Sequence, residues 1–430
     1  MAGMESQGKT LAVVGGGAAG LAAAIAAGDF AQKRGFSLDI AVYERDDRVG
    51  RSILATGNGR CNFSNACIDA GRYRNGDFVA EALGALERLS AGHGSGEPGD
   101  DPVHGFFRSL GLVWREEADG RQYPLANKAS AVLDVLRAGA AGRGVREVCD
   151  SDVAAIDPPR KPHAPFTLRM VNGVLKRADA VVIACGGRTL SALDAAGVPR
   201  TAAKPVLGPL SVCERDRVVT RELDNIRVRA RVSLLRGDDP CPVAAEDGEL
   251  MFRKYGLSGI CIFDLSRFAL PGDRVAVNFL GGRTSGEAAA DLESRYGRLS
   301  QRFGRLTYGD LLRGLLLPRV AEAVVKSRFI NPYNHVESGD LPALAELLTG
   351  FGLEVEGIAD PGLCQVRRGG LAVDALDPRT LQVRDAAGLF AAGEALDVDG
   401  PCGGYNLHWA WASGLLAGAC AAAGLADGDR

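Results

Sequence analysis

The chain has no basic block. Its 430 residues carry 50 Lys and Arg against 53 Asp and Glu, a net charge of −3. A protein that grips nucleic acid electrostatically needs a clustered positive surface, so the charge pattern argues against a nucleic-acid partner. Repeats are missing too. The 57 glycines follow no fixed period, which excludes collagen and solenoid architectures. The ten cysteines, at 61, 67, 149, 185, 213, 241, 261, 364, 402 and 420, form no CxxC and no Cys/His spacing suited to zinc, so no metal site is expected. Most lie in apolar runs such as Ile183-Ala184-Cys185 and Ile260-Cys261-Ile262. Small buried thiols of this kind fit a reducing, cytoplasmic setting.

A membrane span is also not expected. Residues 11–28 and 407–425 are free of charge and reach 18 and 19 residues, a length that permits a crossing. Both are dominated by Ala and Gly rather than Leu or Phe, and the first contains three consecutive glycines, which break a helix. With 46% apolar and 24% charged residues, the composition is that of a globular protein and not of a disordered chain. At roughly 150 residues per domain, the length suggests about three units, one or two of them large.

Residues 10–14 are a short apolar run of the kind that forms a buried parallel strand. Gly15-Gly16-Gly17-Ala18-Ala19-Gly20 follows, and then an Ala-rich helical stretch over residues 21–27. This is GxGxxG between strand and helix. Gly15 makes the tight turn, Gly17 lets a pyrophosphate approach the backbone, and Gly20 lets helix and strand pack closely. The N–H groups at the helix start, including those of Ala18 and Ala19, then face the phosphates. A second apolar strand over residues 38–43 ends in Glu44, 24 residues beyond Gly20. A carboxylate there accepts hydrogen bonds from a ribose diol and repels a 2′-phosphate.

After Glu44 comes Arg45, then Gly50-Arg51-Ser52, a turn typical of FAD proteins, in which this loop folds over the pyrophosphate and ribityl chain. Far downstream, Gly388-Leu389-Phe390-Ala391-Ala392-Gly393-Glu394 resembles the C-terminal flavin motif of the glutathione-reductase-like flavoprotein superfamily. In that superfamily the acid holds the ribityl hydroxyls. Gly403-Gly404-Tyr405-Asn406 opens a helix over residues 407–422. A helix N-terminus aimed at the flavin pyrimidine edge would stabilise the charge that reduced flavin carries. Ala184-Cys185-Gly186-Gly187 resembles the superfamily's ATGG strand end, with Cys185 in place of Thr. Asp152-Val153 is read as the end of a short strand that lays the Val153 backbone against adenine. No second GxGxxG follows a strand, and Gly281-Gly282-Arg-Thr-Ser-Gly286 has the wrong spacing. NAD(P)H, if it is the reductant, docks transiently.

Three further segments carry a closer resemblance. They are Gly57-Asn58-Gly59-Arg60-Cys61-Asn62-Phe63-Ser64-Asn65, Gly256-Leu257-Ser258-Gly259, and the run from Gly393-Glu394 through Asp397, Asp399 and Gly403 to Asn406-Leu407-His408. Together they resemble an aminoacetone oxidase-like family of bacterial FAD-dependent oxidoreductases, which includes flavoproteins that reduce dehydro-bile-acid intermediates. The resemblance runs from residue 10 to about residue 422. It implies an α/β fold with a discontinuous Rossmann-like FAD-binding domain over residues 1–196 and 359–430. A β-rich domain over 197–307 and a small helical subdomain over 308–358 are inserted into it. The sequence agrees, with β-like runs at 227–235 and 274–279, helical runs at 311–317 and 341–348, and a solvated loop at 91–102. It also implies FAD contacts by Asn58, Arg60, Cys61, Asn62, Gly393, Glu394, Asp397, Asn406, Leu407 and His408. The chain departs from the family pattern at Cys402, His408, Arg253-Lys254 and Arg367-Arg368, positions that border the expected substrate cavity.

Flavin carries hydride chemistry, and the protein supplies position and field. Reduction of a conjugated C=C also needs a proton donor or a donor that polarises the carbonyl. His408 and Tyr405, at the start of the flavin-facing helix, are the candidates; the alternative for both is a structural role. Cys61 and Cys67 raise a disulfide-reductase reading, but five residues separate them where that class has four. The expected function is NAD(P)H-driven reduction of a conjugated bond in an apolar small molecule. The alternatives are an amine oxidase passing electrons to O2 and a non-catalytic flavin-binding protein. The sequence does not give an oligomeric state.

Overall fold

The computed structural model describes residues 8–91, 101–159, 161, 164–188 and 197–428. The chain divides into two compact units, Met1–Lys204 with Val366–Arg430, and Pro205–Gln365. Apart from its ends, the loop expected at 91–102 lies outside the described residues.

The first unit opens with β1 (Lys9–Val14), α1 (Ala18–Arg34) and β2 (Leu38–Tyr43). Alanine, the best helix former, fills α1. Gly35 ends it in the left-handed region at φ 68°, with Gly35 and Phe36 N–H groups closing on the carbonyls of Gln32 and Ala31. Next come α2 (Arg51–Ala55), β3 (Ser64–Asn65), α3 (Gly76–Ala91), α4 (Pro102–Ser109), β4 (Trp114–Glu116), β5 (Arg121–Pro124) and α5 (Ala129–Ala141). The strands β6 (Arg146–Val148), β7 (Val153–Asp157), β8 (Phe166–Met170), β9 (Leu175–Ala178) and β10 (Ala180–Ile183) follow. Val153 begins β7 instead of ending a strand, because Ser151 and Asp150 are tied back to the carbonyls of Glu44 and Asp46 and the new ladder starts only after them.

The chain leaves this unit along β11 (Arg200–Val206). The second unit contains β12 (Leu210–Val212), α6 (Glu214–Glu222), β13 (Arg227–Leu235), β14 (Ala244–Arg253), β15 (Gly256–Ser258), α7 (Ile260–Ser266) and β16 (Arg274–Asn278). Helices α8 (Ser285–Phe303), α9 (Tyr308–Leu312), α10 (Pro318–Lys326) and α11 (Leu341–Thr349) precede β17 (Phe351–Ile358). Six strands close a barrel in the order β12-β15-β14-β13-β16-β17. Alternation fixes its inside: Ala230, Val232 and Leu234 of β13 are buried, whereas Arg227, Arg229 and Arg231 face out. The helices do not stand apart as a subdomain over 308–358. Leu311, Val320 and Leu344 join the apolar cluster of the barrel strands, and β17 closes the barrel between β12 and β16. Of the helical run expected at 311–317, only Leu311 and Leu312 are helical, at the end of α9; Gly314 at φ 79° turns the chain, and α10 starts afresh at Pro318. Gly281 and Gly282, both at positive φ, form the turn into α8, which Thr284 and Glu287 close with a capping box.

The chain returns through β18 (Val366–Leu371), β19 (Leu389–Ala391) and α12 (Tyr405–Asp427). The main sheet of the first unit runs β19-β10-β1-β2-β6, all parallel. The apolar α12 is long enough to cross a membrane by length and composition, but 78% of its most apolar window is buried inside the fold. It packs on α1 through small residues. A Cβ on Gly414 would lie 2.4 Å from the Ala19 carbonyl oxygen, and one on Gly418 would lie 2.1 Å from that of Ala23.

Candidate active site

In an open parallel sheet a ligand binds beyond the carboxyl ends of the strands. Here those ends are stitched side by side. The Ala392 N–H donates to the Ile183 carbonyl, Ala184 to Val14, Gly15 to Tyr43 and Glu44 to Val148. One edge therefore aligns Gly393, Ala184, Gly15 and Glu44.

The glycine loop is closed on itself and open in front. A Cβ on Gly20 would lie 1.9 Å from the Gly15 carbonyl oxygen, and Gly15, at φ +105°, sits against the backbone of Ala184 and Cys185. Gly17 caps α1 in an extended conformation with no side chain bonded to the helix end. The first-turn N–H groups of Ala18, Ala19 and Gly20 thus have no side-chain cap. The Gly50 turn docks on this loop, its N–H donating to the Gly16 carbonyl at 2.8 Å. Ser52 Oγ lies where a Gly17 Cβ would meet it, at 3.2 Å. Arg51 and Arg45 face Asp46 at 3.8 and 3.9 Å. Glu44 accepts from the N–H groups of Gly16 and Asp46 at 2.8 and 3.0 Å. The Ser151 N–H donates to the Glu44 carbonyl at 2.8 Å, which brings the start of β7 and Val153 alongside. At the other end, Gly186 lies beside a Glu394 carboxylate oxygen, and Gly393 packs against Ala19 and Ala410. The first turn of α1 and the second turn of α12 therefore flank Gly393 at this edge. Uncapped helix N-termini, a loop that tolerates no Cβ at Gly20 and an acid at the end of β2 fit the diphosphate and ribose of FAD.

Other expected cofactor residues are used internally. The Asp397 carboxylate, almost fully buried, takes both arms of Arg74 at 2.8 and 3.1 Å and the Gly369 N–H at 3.0 Å. It clamps the loop. Asp399 is gripped in the same way by Arg368 at 2.9 and 3.0 Å. Asn406 exchanges hydrogen bonds with the Gly400 backbone at 2.8 and 2.9 Å, closing the turn before α12. Leu407 is half-buried in the first turn. Gly57, Asn58, Gly59 and Cys61 form a left-handed turn. Arg60 lies 4.5 Å over the Tyr123 ring and 3.8 Å from Glu117, so it braces this turn. Asn62 Oδ1 accepts from the Gln122 N–H at 3.1 Å. Burial pushes the Cys61 thiol up to about 12. Cys61 is buried, Cys67 is exposed, and the two are not joined in a disulfide.

The two candidate proton donors also have partners within the protein. The Tyr405 hydroxyl donates to the Cys67 carbonyl at 2.7 Å, and its ring lies 5.4 Å from Tyr73. His408 is 1% exposed. Its Nδ1 is 2.9 Å from Ser64 Oγ, a residue 344 positions away in the chain, and its Nε2 is 3.5 Å from Asp101. Burial holds it near pKa 4, against the pull of Asp101. His104 extends the chain of polar groups from Asp101, at 3.3 Å, to Gln122, at 2.5 Å. Burial would raise the Asp101 pKa, yet the His104 hydrogen bond and the charges of His408 and His104 bring it down to about 2. Asp101 followed by Pro102 is a legible helix start, and Asp101 does cap α4. Its distant partners could not be read from spacing. Among the described residues no cluster of metal-ligating side chains occurs.

The HI0933-like protein Rossmann domain model matches residues 9–420. The chain belongs to this family. It is an FAD-dependent oxidoreductase. It is 32% identical to a 3-dehydro-bile acid delta(4,6)-reductase of Clostridium scindens, over 96% of this chain and 98% of that one. It is also 26% identical to a ribosomal RNA dihydrouridine synthase of Escherichia coli, over 95% and 96% of the two chains. Among solved structures, a 3-ketosteroid-delta4-(5alpha)-dehydrogenase from Rhodococcus jostii RHA1 matches at 17% identity over 97% and 98% of the chains, with a TM-score of 0.46.

Proposed function

We propose that this HI0933-like enzyme reduces a carbon–carbon double bond conjugated to a carbonyl, in an apolar small molecule of steroid type, with NAD(P)H as the electron source. The observation that carries this reading is the 32% identity with the bile acid reductase along essentially both whole chains. With FAD bound, hydride chemistry comes from the cofactor. The chain's part is to hold it, through the glycine loop, Glu44 and the small-residue seam that brings α12 against α1. Cytoplasmic residence belongs to the same proposal and is supported by ten cysteines, none of them joined in a disulfide.

A uracil ring is the second reading, because its 5,6 double bond is also conjugated to a carbonyl and two relatives are rRNA dihydrouridine synthases. Charge pairing on the outer face of β13 favours the small molecule. Arg227 and Arg231 on the outer face of β13 are neutralised by Glu249 and Asp247 of β14, at 2.8 and 2.7 Å. Neutralised arginines do not offer counterion release to a phosphate backbone.

Anaerobic mixing with NADH or NADPH is expected to bleach the flavin absorbance, and a 3-oxo-4,6-diene steroid should restore it. Bleaching by neither nucleotide defeats the proposal. Peroxide release with simple amines would establish the amine oxidase, and reoxidation by a ribosomal RNA fragment but not by the steroid would establish the second reading.

A further inference from the structure

We propose that Arg367 is an anion anchor in the acceptor site: its guanidinium takes a carboxylate carried by the molecule being reduced. The inference rests on the reading that the acceptor is a small organic molecule.

The base of Arg367 is fixed among residues of the flavin site. Its N–H donates to Glu394 Oε1 at 2.6 Å. Its stem lies along Gly187, where a Cβ would come within 3.1 Å of Cδ and 3.3 Å of Cβ. The adjacent Gly186 lies beside the other Glu394 oxygen. Arg367, in β18, therefore lies beside the Gly186-Gly187 turn that follows the carboxyl end of β10, the end of such sheets where ligands bind.

Its head group, by contrast, is incompletely satisfied: among the described residues the buried Nε has no hydrogen-bond partner. Among the described residues the guanidinium meets no carboxylate, whereas Arg368 is paired with Asp399 and Arg74 with Asp397. A buried N–H without a partner is costly, and the cost is removed when an acceptor arrives. The planar fork of arginine matches a carboxylate in two parallel hydrogen bonds. An organic acid thus completes this site, and a neutral ester leaves it uncompleted. The bile acid reductase that the chain resembles acts, by its name, on acids.

The test compares 3-oxochola-4,6-dienoic acid with its methyl ester, as acceptors for wild type, Arg367→Met and Arg367→Lys. The acid-to-ester ratio of kcat/KM should fall about tenfold to a hundredfold in Arg367→Met, the range set by losing a charge-assisted pair. Arg367→Lys should recover part of the ratio, and both variants should keep stoichiometric FAD. A second measurement needs no turnover: octanoate and octanamide are titrated into the oxidised holoenzyme while the flavin absorbance is followed. Wild type should bind octanoate more tightly, and Arg367→Met should lose that preference. If neither steroid is reduced yet octanoate binding still depends on Arg367, the steroid reading fails and the anchor stands. An unchanged ratio, equal losses for acid and ester, loss of FAD in Arg367→Met, or a wild type with no preference for octanoate overturns the anchor.

Discussion

Burial holds His408 at a pKa of about 4, below its ordinary 6.5, and this has a consequence for stability. The folded protein refuses a proton that the unfolded chain accepts between those values. Stability therefore falls as pH drops from about 6.5 to about 4 and levels off below, a loss of about 3 kcal/mol from this residue alone. Asp101, at about 2 against an ordinary 3.8, adds its own loss only below about pH 4, where the unfolded carboxylate protonates first. The variant His408→Gln keeps a polar side chain beside Ser64 and removes the titration. Urea midpoints at pH 7, 5.5 and 4.5 should then decline much less steeply than in wild type, and an identical slope would show that His408 does not titrate on unfolding. The sequence points to His408 because it stands at the start of a helix expected to face the flavin. It does not show that Ser64 and Asp101 close over the ring, because nothing local links positions so far apart. Gly15, Gly17, Gly20 and Glu44 were legible for the opposite reason: the turn, the close approach and the acid all lie within one βαβ unit, where spacing dictates geometry.

The seam between α1 and α12 is the element on which the flavin site depends. Its closeness comes from Gly414 and Gly418 lying over the carbonyls of Ala19 and Ala23. Gly418→Ala would place a methyl group 2.1 Å from a backbone oxygen, which must be relieved by moving one helix. Overpacking of this kind costs about 1–3 kcal/mol or more, and the movement also displaces the turns of α1 and α12 that flank Gly393 at the sheet edge. Lower thermal stability together with a reduced ratio of flavin to protein absorbance is the expected outcome. A variant that keeps full flavin content would separate the seam from the site. Both helices were legible as Ala- and Gly-rich runs, and β13 as an alternating run with matching ends. What failed was punctuation and long-range closure. The helix expected at 311–317 is helical only at Leu311 and Leu312, because Gly314 turns the chain and α10 starts only at Pro318. β17 was assigned to a helical subdomain, because its barrel partners β12 and β16 precede it by long stretches of sequence.

The whole molecule holds two separate apolar cores, one in each compact unit. Every residue aligned at the sheet edge, from Gly15 and Glu44 to Ala184 and Gly393, belongs to the first unit. A ligand that binds only the native state stabilises what it binds, by about 2.7 kcal/mol when present at a hundred times its dissociation constant. FAD should therefore stabilise the first unit and leave the barrel unit untouched. Scanning calorimetry of the flavin-loaded and flavin-stripped protein should resolve two transitions. The transition of the first unit is expected to move up with added FAD, in proportion to the logarithm of its concentration, and the barrel transition to stay in place. Glu44→Ala, which removes the acid at the end of β2, should shrink the FAD-dependent shift and leave the second transition where it was. A single transition that moves as one would mean that the two cores unfold together, and the stabilisation by FAD would then be shared by the barrel.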